Sequence, residues 1–314
     1  MRDYEEFCIL IPTRNRPIEV QTLLTSIQAS KVKPLQVIVV SSGEEILQVV
    51  EKFASDLAIT YIHSEISGQI NQKKLGLSAI NPRAKWVVFL DDDLLVYPDS
   101  FEQAFGCIYD FKRDAGKDLA GVGFRLPVTS RFNNGGRFTR MAARLFGIDN
   151  QPAGHVLSNG HATSYLEQQA TLETSWLNGA SMWRVESTLT YGSHGVSSSY
   201  AACEDLIFSY PLGKLKSLIY CPNAKLDFQV SEKTNFESPS IYLAALYWRY
   251  FFILEHQEFS IFRFNLTQLG RLIFAVKQNS GGRIKFFAKV APATLRVAID
   301  SLNKRQPRKF LESI

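Results

Sequence analysis

Short, wholly apolar runs recur through the first ninety residues, and segments of helical period lie between them. FCILIP (Phe7 to Pro12) has no polar side chain to turn toward water. It therefore predicts a strand covered on both faces, as in a parallel sheet. PIEVQTLLTSIQAS then spaces Val20, Leu23, Leu24 and Ile27 along one helical face, with Pro17 near the first turn, where its missing N–H costs nothing. LQVIVVSSG (Leu35 to Gly43) predicts a second buried strand, EEILQVVEKFAS a second helix and AITYIH a third strand. SGQINQKKLGLSAI reads as a loop leading into a helix, and KWVVFL as a fourth strand. Strands alternating with helices in this order build an α/β layer structure.

The fourth strand stops at three successive carboxylates, Asp91, Asp92 and Asp93, in WVVFLDDDLLVYP. Open α/β sheets bind ligands beyond the carboxyl ends of their strands, so acids there point to a site. A lone Asp in that place reads most simply as a helix cap, and Asp93 or Asp99 could cap SFEQAFGCIYDFKRD. Three in a row repel one another at the edge of a low-dielectric core, a cost that a bound cation offsets.

Periodicity weakens from Gly121 to about Tyr165, in a segment rich in Gly, Asn, Ser, Arg and Phe. A stretch of that length in a compact domain reads as a functional loop region. SWLNGASMWRV predicts a further strand, and Glu204 and Asp205 precede the apolar helical face of Leu206, Ile207 and Tyr210. Acids at a helix start are favourable in themselves, so that pair alone decides nothing. From Ser238 onward the chain is helical in period and dense in aromatics. The division expected is one domain over 1–237 and a helical, aromatic and basic extension over 238–314.

Charge separates the same two parts. The net charge is +5, but from Ile261 onward eleven Lys/Arg face only Asp300 and Glu312, so that tail carries +9 and the rest −4. Helices with Phe, Trp and Leu on one side and Lys/Arg on the other can lie in a membrane interface. A helical appendage with a solvated basic face is the simpler alternative. Nucleic acid fits the charge but no recognisable module accompanies it, so no nucleic-acid partner is expected. IYLAALYWRYFFIL carries Arg249 and is too short to span a bilayer, and the N-terminal apolar run is too short for a secretory signal.

Other chemistries find little support. Cys8, Cys107, Cys203 and Cys221 form no CxxC pair, which suggests neither a zinc ribbon nor a disulfide scaffold and fits a reducing cytosol. His63, His155, His161, His194 and His256 show no ligand spacing. GSHG lacks the order of a nucleophile elbow, GVGFRL lacks the third glycine of a dinucleotide fingerprint, and no P-loop sequence occurs.

Taken in order, ILIPTRNRPIEVQTLLTSI, LQVIVVSSG, VVFLDDDLLVYPD, WLNGASMWRVE and EDLIFSYPLGKLKSLIYCPNAKLDF resemble the conserved segments of family 2 glycosyltransferases over roughly Phe7 to Phe228. The nearest resemblance is to bacterial enzymes that build cell-surface polysaccharides. It implies a GT-A fold, that is, a Rossmann-like mixed sheet flanked by helices, as found in nucleotide-diphospho-sugar transferases. It also implies an inverting transfer from a UDP-, GDP- or dTDP-sugar to a glycan or lipid-linked glycan acceptor, with Mn²⁺ or Mg²⁺ as cofactor. On the family's pattern Asp93 is a metal ligand, Asp91 contacts the donor and stands beside the metal, and Asp92 assists. Asp205 matches the general base, with Glu204 supporting it. Pro12, Thr13, Arg14 and Asn15, then Ser41 and Ser42, and Lys73 and Lys74 fall where the family holds nucleotide and diphosphate. Trp176, Asn178, Gly179 and Ala180 fall on the acceptor and sugar side.

The likeness has two gaps. Ser41-Ser42-Gly43 stands where the family usually has an acid for the nucleotide base, and Phe228 stands where many members have a metal-binding His. Asp227 and Gln229 are the residues placed to substitute for that His. A degenerate nucleotide-sugar or carbohydrate-binding protein and a nucleotidyltransferase are the competing readings. The resemblance together with the basic tail implies a cytoplasmic protein, peripheral on the inner face of the cell membrane.

Overall fold

The computed structural model describes residues 4–115, 117–127, 137–148, 151–196, 201–229, 238–279 and 282–307. Arg308, Lys309 and Glu312 of the charged tail, and residues 128–136 of the weakly periodic stretch, lie outside them. The chain divides into two compact units, one of residues 1–128, 165–195 and 208–231, the other of 129–164, 196–207 and 232–314. The division expected at 238 is drawn differently here. The described residues of 137–164 and 201–207 group with the C-terminal helices, which a linear reading of composition does not reveal.

The first unit is built on a mixed sheet. Its strands are β1 (Phe7–Arg14), β2 (Gln36–Ser42), β3 (Ile59–Ser64), β4 (Trp86–Phe89), β5 (Leu94–Val96), β6 (Leu119–Arg125), β7 (Leu172–Thr174), β8 (Ser181–Arg184) and β9 (Ser217–Phe228). They lie in the order β3-β2-β1-β4-β8-β6-β9-β5, with β7 paired to β9. The first four strands run parallel, and β8 lies antiparallel between β4 and β6. The apolar runs explain this: Ile9, Ile11, Val37, Val39, Trp86 and Val88 are fully buried in one core. Each contributes roughly 1.5–3 kcal/mol by leaving water.

Helices α1 (Pro17–Gln28), α2 (Leu47–Glu51), α3 (Gln69–Leu77) and α4 (Ser100–Ala115) follow the expected order. The buried residues of α1 are Val20, Leu23, Leu24 and Ile27, the four that the period indicates. Helix α3 reaches the sheet closely through Gly76, where an added Cβ would come within 2.7 Å of Leu10 Cδ1. Strand order reverses beside β1: β2 lies on one side of it and β4 on the other, which is the switch point where such sheets bind ligands.

Three expectations need correction. The weakly periodic stretch begins with a real strand, β6, whose glycines Gly121 and Gly123 make room for Trp183, Leu177 and Tyr165. The strand expected over SWLNGASMWRV is only Ser181–Arg184, because Trp176 to Ala180 leave the ladder as a loop. Cysteines are not all unpaired: Cys107 on α4 and Cys221 on β9 form a disulfide, since α4 packs along β9 and brings their Cα atoms within 6.1 Å.

The second unit contains α5 (Arg137–Leu145), the first turn of α6 (Glu204–Gly213), and the helices α7 (Pro239–Glu255), α8 (Ile261–Gln278) and α9 (Arg283–Leu302). Ser238 and Ser260 cap α7 and α8 by accepting from Ile241 N and Arg263 N. Helix α9 buries Phe286, Val290, Val297 and Ser301, spaced on one face. Ile284, Phe287, Leu295, Ile299 and Leu302 form a second apolar stripe that is exposed. Among the described residues, no helix is long and apolar enough to cross a membrane.

Candidate active site

Strand β1 delivers Thr13 and the turn after it, and β4 delivers the three aspartates, so the two chain ends meet at the switch point. Consecutive residues cannot all aim one way, and the aspartates divide. Asp92 turns inward: Thr13 Oγ1 donates to Asp92 Oδ2 at 2.7 Å, and Arg16 Nη1 donates to Asp92 Oδ1 at 2.8 Å. Asp91 Oδ1 accepts from Gln69 Nε2 at 2.8 Å, at the start of α3. Asp93 is partly exposed, with Oδ2 3.6 Å from Arg16 Nη1. Burial opposes the Arg16 charge, but Asp92 outweighs it, so the guanidinium is held above its ordinary value.

Beneath this layer, Gln72 Nε2 donates to Thr13 O at 2.6 Å and Val40 O at 2.8 Å, tying α3 to the ends of β1 and β2. Gln229 works from the far side. Its Nε2 lies 2.9, 3.0 and 3.1 Å from the carbonyls of Glu19, Asp92 and Leu94, and its backbone N donates to Asp93 O at 2.8 Å. Its Nε2 is thereby committed to fixing the aspartate loop. Asp227 accepts from Tyr97 Oη and from Phe228 N.

The donor-side candidates take different places. Pro12 and Thr13 are buried and Arg14 and Asn15 exposed. Asn15 Oδ1 accepts from Glu44 N at 2.8 Å, with Asn15 itself at φ 56°, so this residue pins the loop after β2. Ser41 Oγ lies 2.7 Å from Tyr61 Oη and 3.0 Å from His63 Nδ1, so a hydrogen-bonding cluster without a carboxylate occupies the place where the resemblance implies an acid. Ser42 Oγ is buried without a hydrogen-bond partner. Lys73 is buried, its ammonium 5.1 Å from the Phe89 ring centre and 5.9 Å from that of Tyr191, whereas Lys74 is exposed.

The loop Trp176–Ala180 adjoins Asp91. A Cβ on Gly179 would come 3.6 Å from Asp91 Oδ2, ordinary van der Waals contact, so the loop backbone runs beside that carboxylate. Asn178 N donates to Tyr165 Oη at 2.7 Å, while both its side-chain polar atoms are buried without hydrogen bonds. Ala180 is buried, and Trp176 packs on Tyr165 with ring centres 5.3 Å apart. Ser209 on α6 holds the loop by accepting from Leu177 N at 3.0 Å.

Glu204 and Asp205 open α6 in the second unit. Glu204 is buried, and Asp205 Oδ1 accepts from Leu206 N at 2.8 Å, as acids in a first helical turn do. Sequence reasoning missed Arg16, Gln69, Tyr61 and His63. Arg16 was the most legible of them, as a basic residue two places past a strand that ends beside three acids.

Carboxylate oxygens are the ligands a hard divalent cation prefers, and Mg²⁺ is held through one or two of them while keeping phosphate and water ligands. Asp91 and Asp93, flanking an Asp92 already neutralised by Arg16, fit that demand. Among the described residues no group of three or more His, Cys, Asp or Glu is placed to hold a metal ion.

The sequence profile described as "Glycosyl transferase family 2" matches residues 8–116. No curated protein matches the chain. Among solved structures, Staphylococcus aureus TarS 1-349 in complex with UDP-GlcNAc is similar with a TM-score of 0.55 at 16% identity, over 95% of this chain and 81% of that one. Mannosyltransferase PcManGT from Pyrobaculum calidifontis, in complex with GDP-Man and Mn2+, gives 0.54 at 14% identity, over 98% of this chain and 83% of that one. Over the matched segment the chain is similar to glycosyl transferase family 2, and the shared architecture shows that it has the GT-A fold.

Proposed function

We propose that the protein transfers a sugar, with inversion, from a nucleotide-diphosphate sugar to an acceptor hydroxyl in the synthesis of a bacterial surface polysaccharide or related glycan. The observation that carries this reading is the Asp91 neighbourhood at the switch point. A carboxylate there adjoins the backbone of Gly179, and the preceding residue, Asn178, holds a buried, hydrogen-bond-free carboxamide that a polar ligand would satisfy.

In the proposed reaction the acceptor oxygen attacks the anomeric carbon as the bond from that carbon to the diphosphate oxygen breaks. Asp205 takes the hydroxyl proton, and the nucleoside diphosphate leaves. Glu204 supports the base. Pro12, Thr13 and Asn15 shape the nucleotide side, with Ser41, Tyr61 and His63 offering hydrogen bonds where the family has an acid. Arg14 and Lys74, exposed near those strand ends, supply positive charge. Trp176, Asn178 and Gly179 line the sugar. A divalent cation held by Asp93 and Asp91 would neutralise charge developing on the leaving diphosphate.

The test is thermal shift with UDP-, GDP- and dTDP-sugars, with and without Mn²⁺, on the wild type and Asp93→Ala. A Mn²⁺-dependent shift for one nucleotide class, lost in the variant, supports the reading. No shift with any of them moves the chain to a non-catalytic role.

We propose further that a membrane surface is a partner. The exposed apolar stripe of α9 is flanked by Arg283, Lys285, Lys289 and Arg296, as interfacial helices are. Sedimentation with vesicles rich in phosphatidylglycerol should pull down the wild type and leave Phe287→Glu, Leu295→Glu in solution. Equal sedimentation of both would sink the idea.

A further inference from the structure

Strand β9 does not stay in one sheet. Its first part pairs with β6, its last residues, Leu226 to Phe228, pair with β5, and between them the β6 ladder skips from Cys221 to Lys225. A bulge of this kind bends a strand and re-aims its side chains. Arg125, at the end of β6, is thereby paired with Lys225. Tyr97, the residue after β5, continues the pairs Leu95–Asp227 and Val96–Leu226 toward the same lysine. With Asp227, Leu226 and Leu126, these three line a cavity of about 250 Å³ within the first unit.

The lining points to one ligand chemistry. Tyr97 is 44% exposed, and its hydroxyl donates to Asp227 Oδ2 at 3.1 Å, which holds the ring where it lines the cavity. Asp227 Oδ1 accepts from Phe228 N at 2.8 Å, and a carboxylate offers about four lone-pair sites, so accepting capacity is left over. Arg125 Nη1 donates to Gln169 Oε1 at 3.3 Å, and a guanidinium carries further N–H groups beyond that one. Lys225 is exposed and adds an ammonium. Donors, an acceptor and an aromatic ring around one cavity suit a molecule with apolar C–H faces and hydroxyls that both donate and accept. A pyranose is such a molecule. A phosphate would use the two cations but meet the Asp227 carboxylate, and an apolar group would leave all three charges unsatisfied.

The cavity is also near the acids. Asp93 and Tyr97 bracket β5, and four residues of chain span at most about 14 Å, the reach of a short oligosaccharide. We infer that the cavity holds a sugar unit of the acceptor at a distance from the hydroxyl that reacts, so that the acceptor is an oligosaccharide and not a single sugar. This rests on the glycosyl transfer proposed above for the aspartate loop.

The probes for the full-length protein are an array of defined neutral and acidic oligosaccharides, chitohexaose, maltohexaose and a hyaluronan hexasaccharide among them, with hits titrated by calorimetry. UDP-, GDP- and dTDP-sugars are run in parallel by thermal shift. Wild type should bind at least one oligosaccharide saturably and its monosaccharides far more weakly. Tyr97→Ala and Arg125→Ala should each weaken oligosaccharide binding about tenfold or more, as loss of an aromatic or arginine anchor does. Both variants should keep the nucleotide-sugar shift, which also shows that they fold. In turnover, Tyr97→Ala should raise KM for the oligosaccharide and leave kcat unchanged. Oligosaccharide binding that survives both substitutions, or a nucleotide-sugar shift lost in Tyr97→Ala, overturns the inference. If nucleotide-sugars bind wild type and no oligosaccharide does, this inference fails and the glycosyltransferase reading stands. If an oligosaccharide binds through Tyr97 and no nucleotide-sugar binds, the cavity stands as a saccharide site and the transferase reading fails. If nothing binds, both fall.

Discussion

Thr13 and Asp92, 79 residues apart in sequence, are joined by a 2.7 Å hydrogen bond that closes the end of β1 against the end of β4. Asp92 is the middle acid of the three, yet it is spent on the protein itself, on Thr13 and Arg16. Its neighbours keep their carboxylates at the surface of the site. The division of labour between adjacent acids gives the first prediction.

Thr13→Val removes a buried donor to a charged acceptor and should lower unfolding free energy by about 1.5–3 kcal/mol in urea denaturation. Asp93→Ala, at a partly exposed position, should change it by less than about 0.5 kcal/mol while abolishing Mn²⁺-dependent nucleotide-sugar binding. Equal destabilisation by both would mean that Asp93, too, is structural.

Gln229 holds the aspartate loop through its carboxamide. Gln229→Leu leaves the Glu19, Asp92 and Leu94 carbonyls without that donor and should cost about 1–3 kcal/mol. It should also weaken nucleotide-sugar binding, since the loop loses its fixed geometry. Gln229→Glu should be worse, because a carboxylate would face three carbonyl oxygens. Denaturation and ligand titration of the two variants, side by side, check this.

Acid sensitivity should be traceable to Glu5. Burial alone would raise its carboxyl, but the hydrogen bond from Trp86 Nε1 at 2.5 Å and the charges of Arg184 and Lys112 prevail and hold it below its ordinary 4.5. A carboxyl with a depressed folded value contributes stability that is complete above about pH 4.5 and is lost as pH falls through the lower folded value. Glu5→Gln should therefore flatten the stability curve below pH 4.5 and leave its slope near neutrality unchanged. Urea titrations across pH 3 to 7 would read both regions.

The cysteine pairing predicts a peptide map. Alkylation without reductant should label Cys8 and Cys203 on unfolding and leave Cys107 and Cys221 in one cross-linked peptide. Reduction should then cost about 2–4 kcal/mol of stability, typical of a closed long loop. Four labelled cysteines before reduction would refute the pairing.

Much of the fold was legible because its causes are local. An apolar run with no polar face must be covered on both sides, and a 3.6-residue period must turn one stripe inward, whatever the rest of the chain does. Strands β1 to β4 and the buried face of α1 followed from that, and so did the position of Asp91 to Asp93 at a strand end. The ordered motifs added a resemblance to a family, but not the geometry of the site.

The sequence by itself determined the layer order, the strand end that carries the acids, and the charge contrast between the two ends of the chain. Only the tertiary structure decided which acid is spent on Arg16, that Gln229 braces backbone carbonyls, that Ser41 joins Tyr61 and His63, and that Cys107 meets Cys221. The physical reason is range. Periodicity and capping act within a few residues, where sequence is a direct record, whereas hydrogen bonds and charge pairs depend on which distant segments packing brings within about 3–4 Å. One chain read in line carries no measure of that distance.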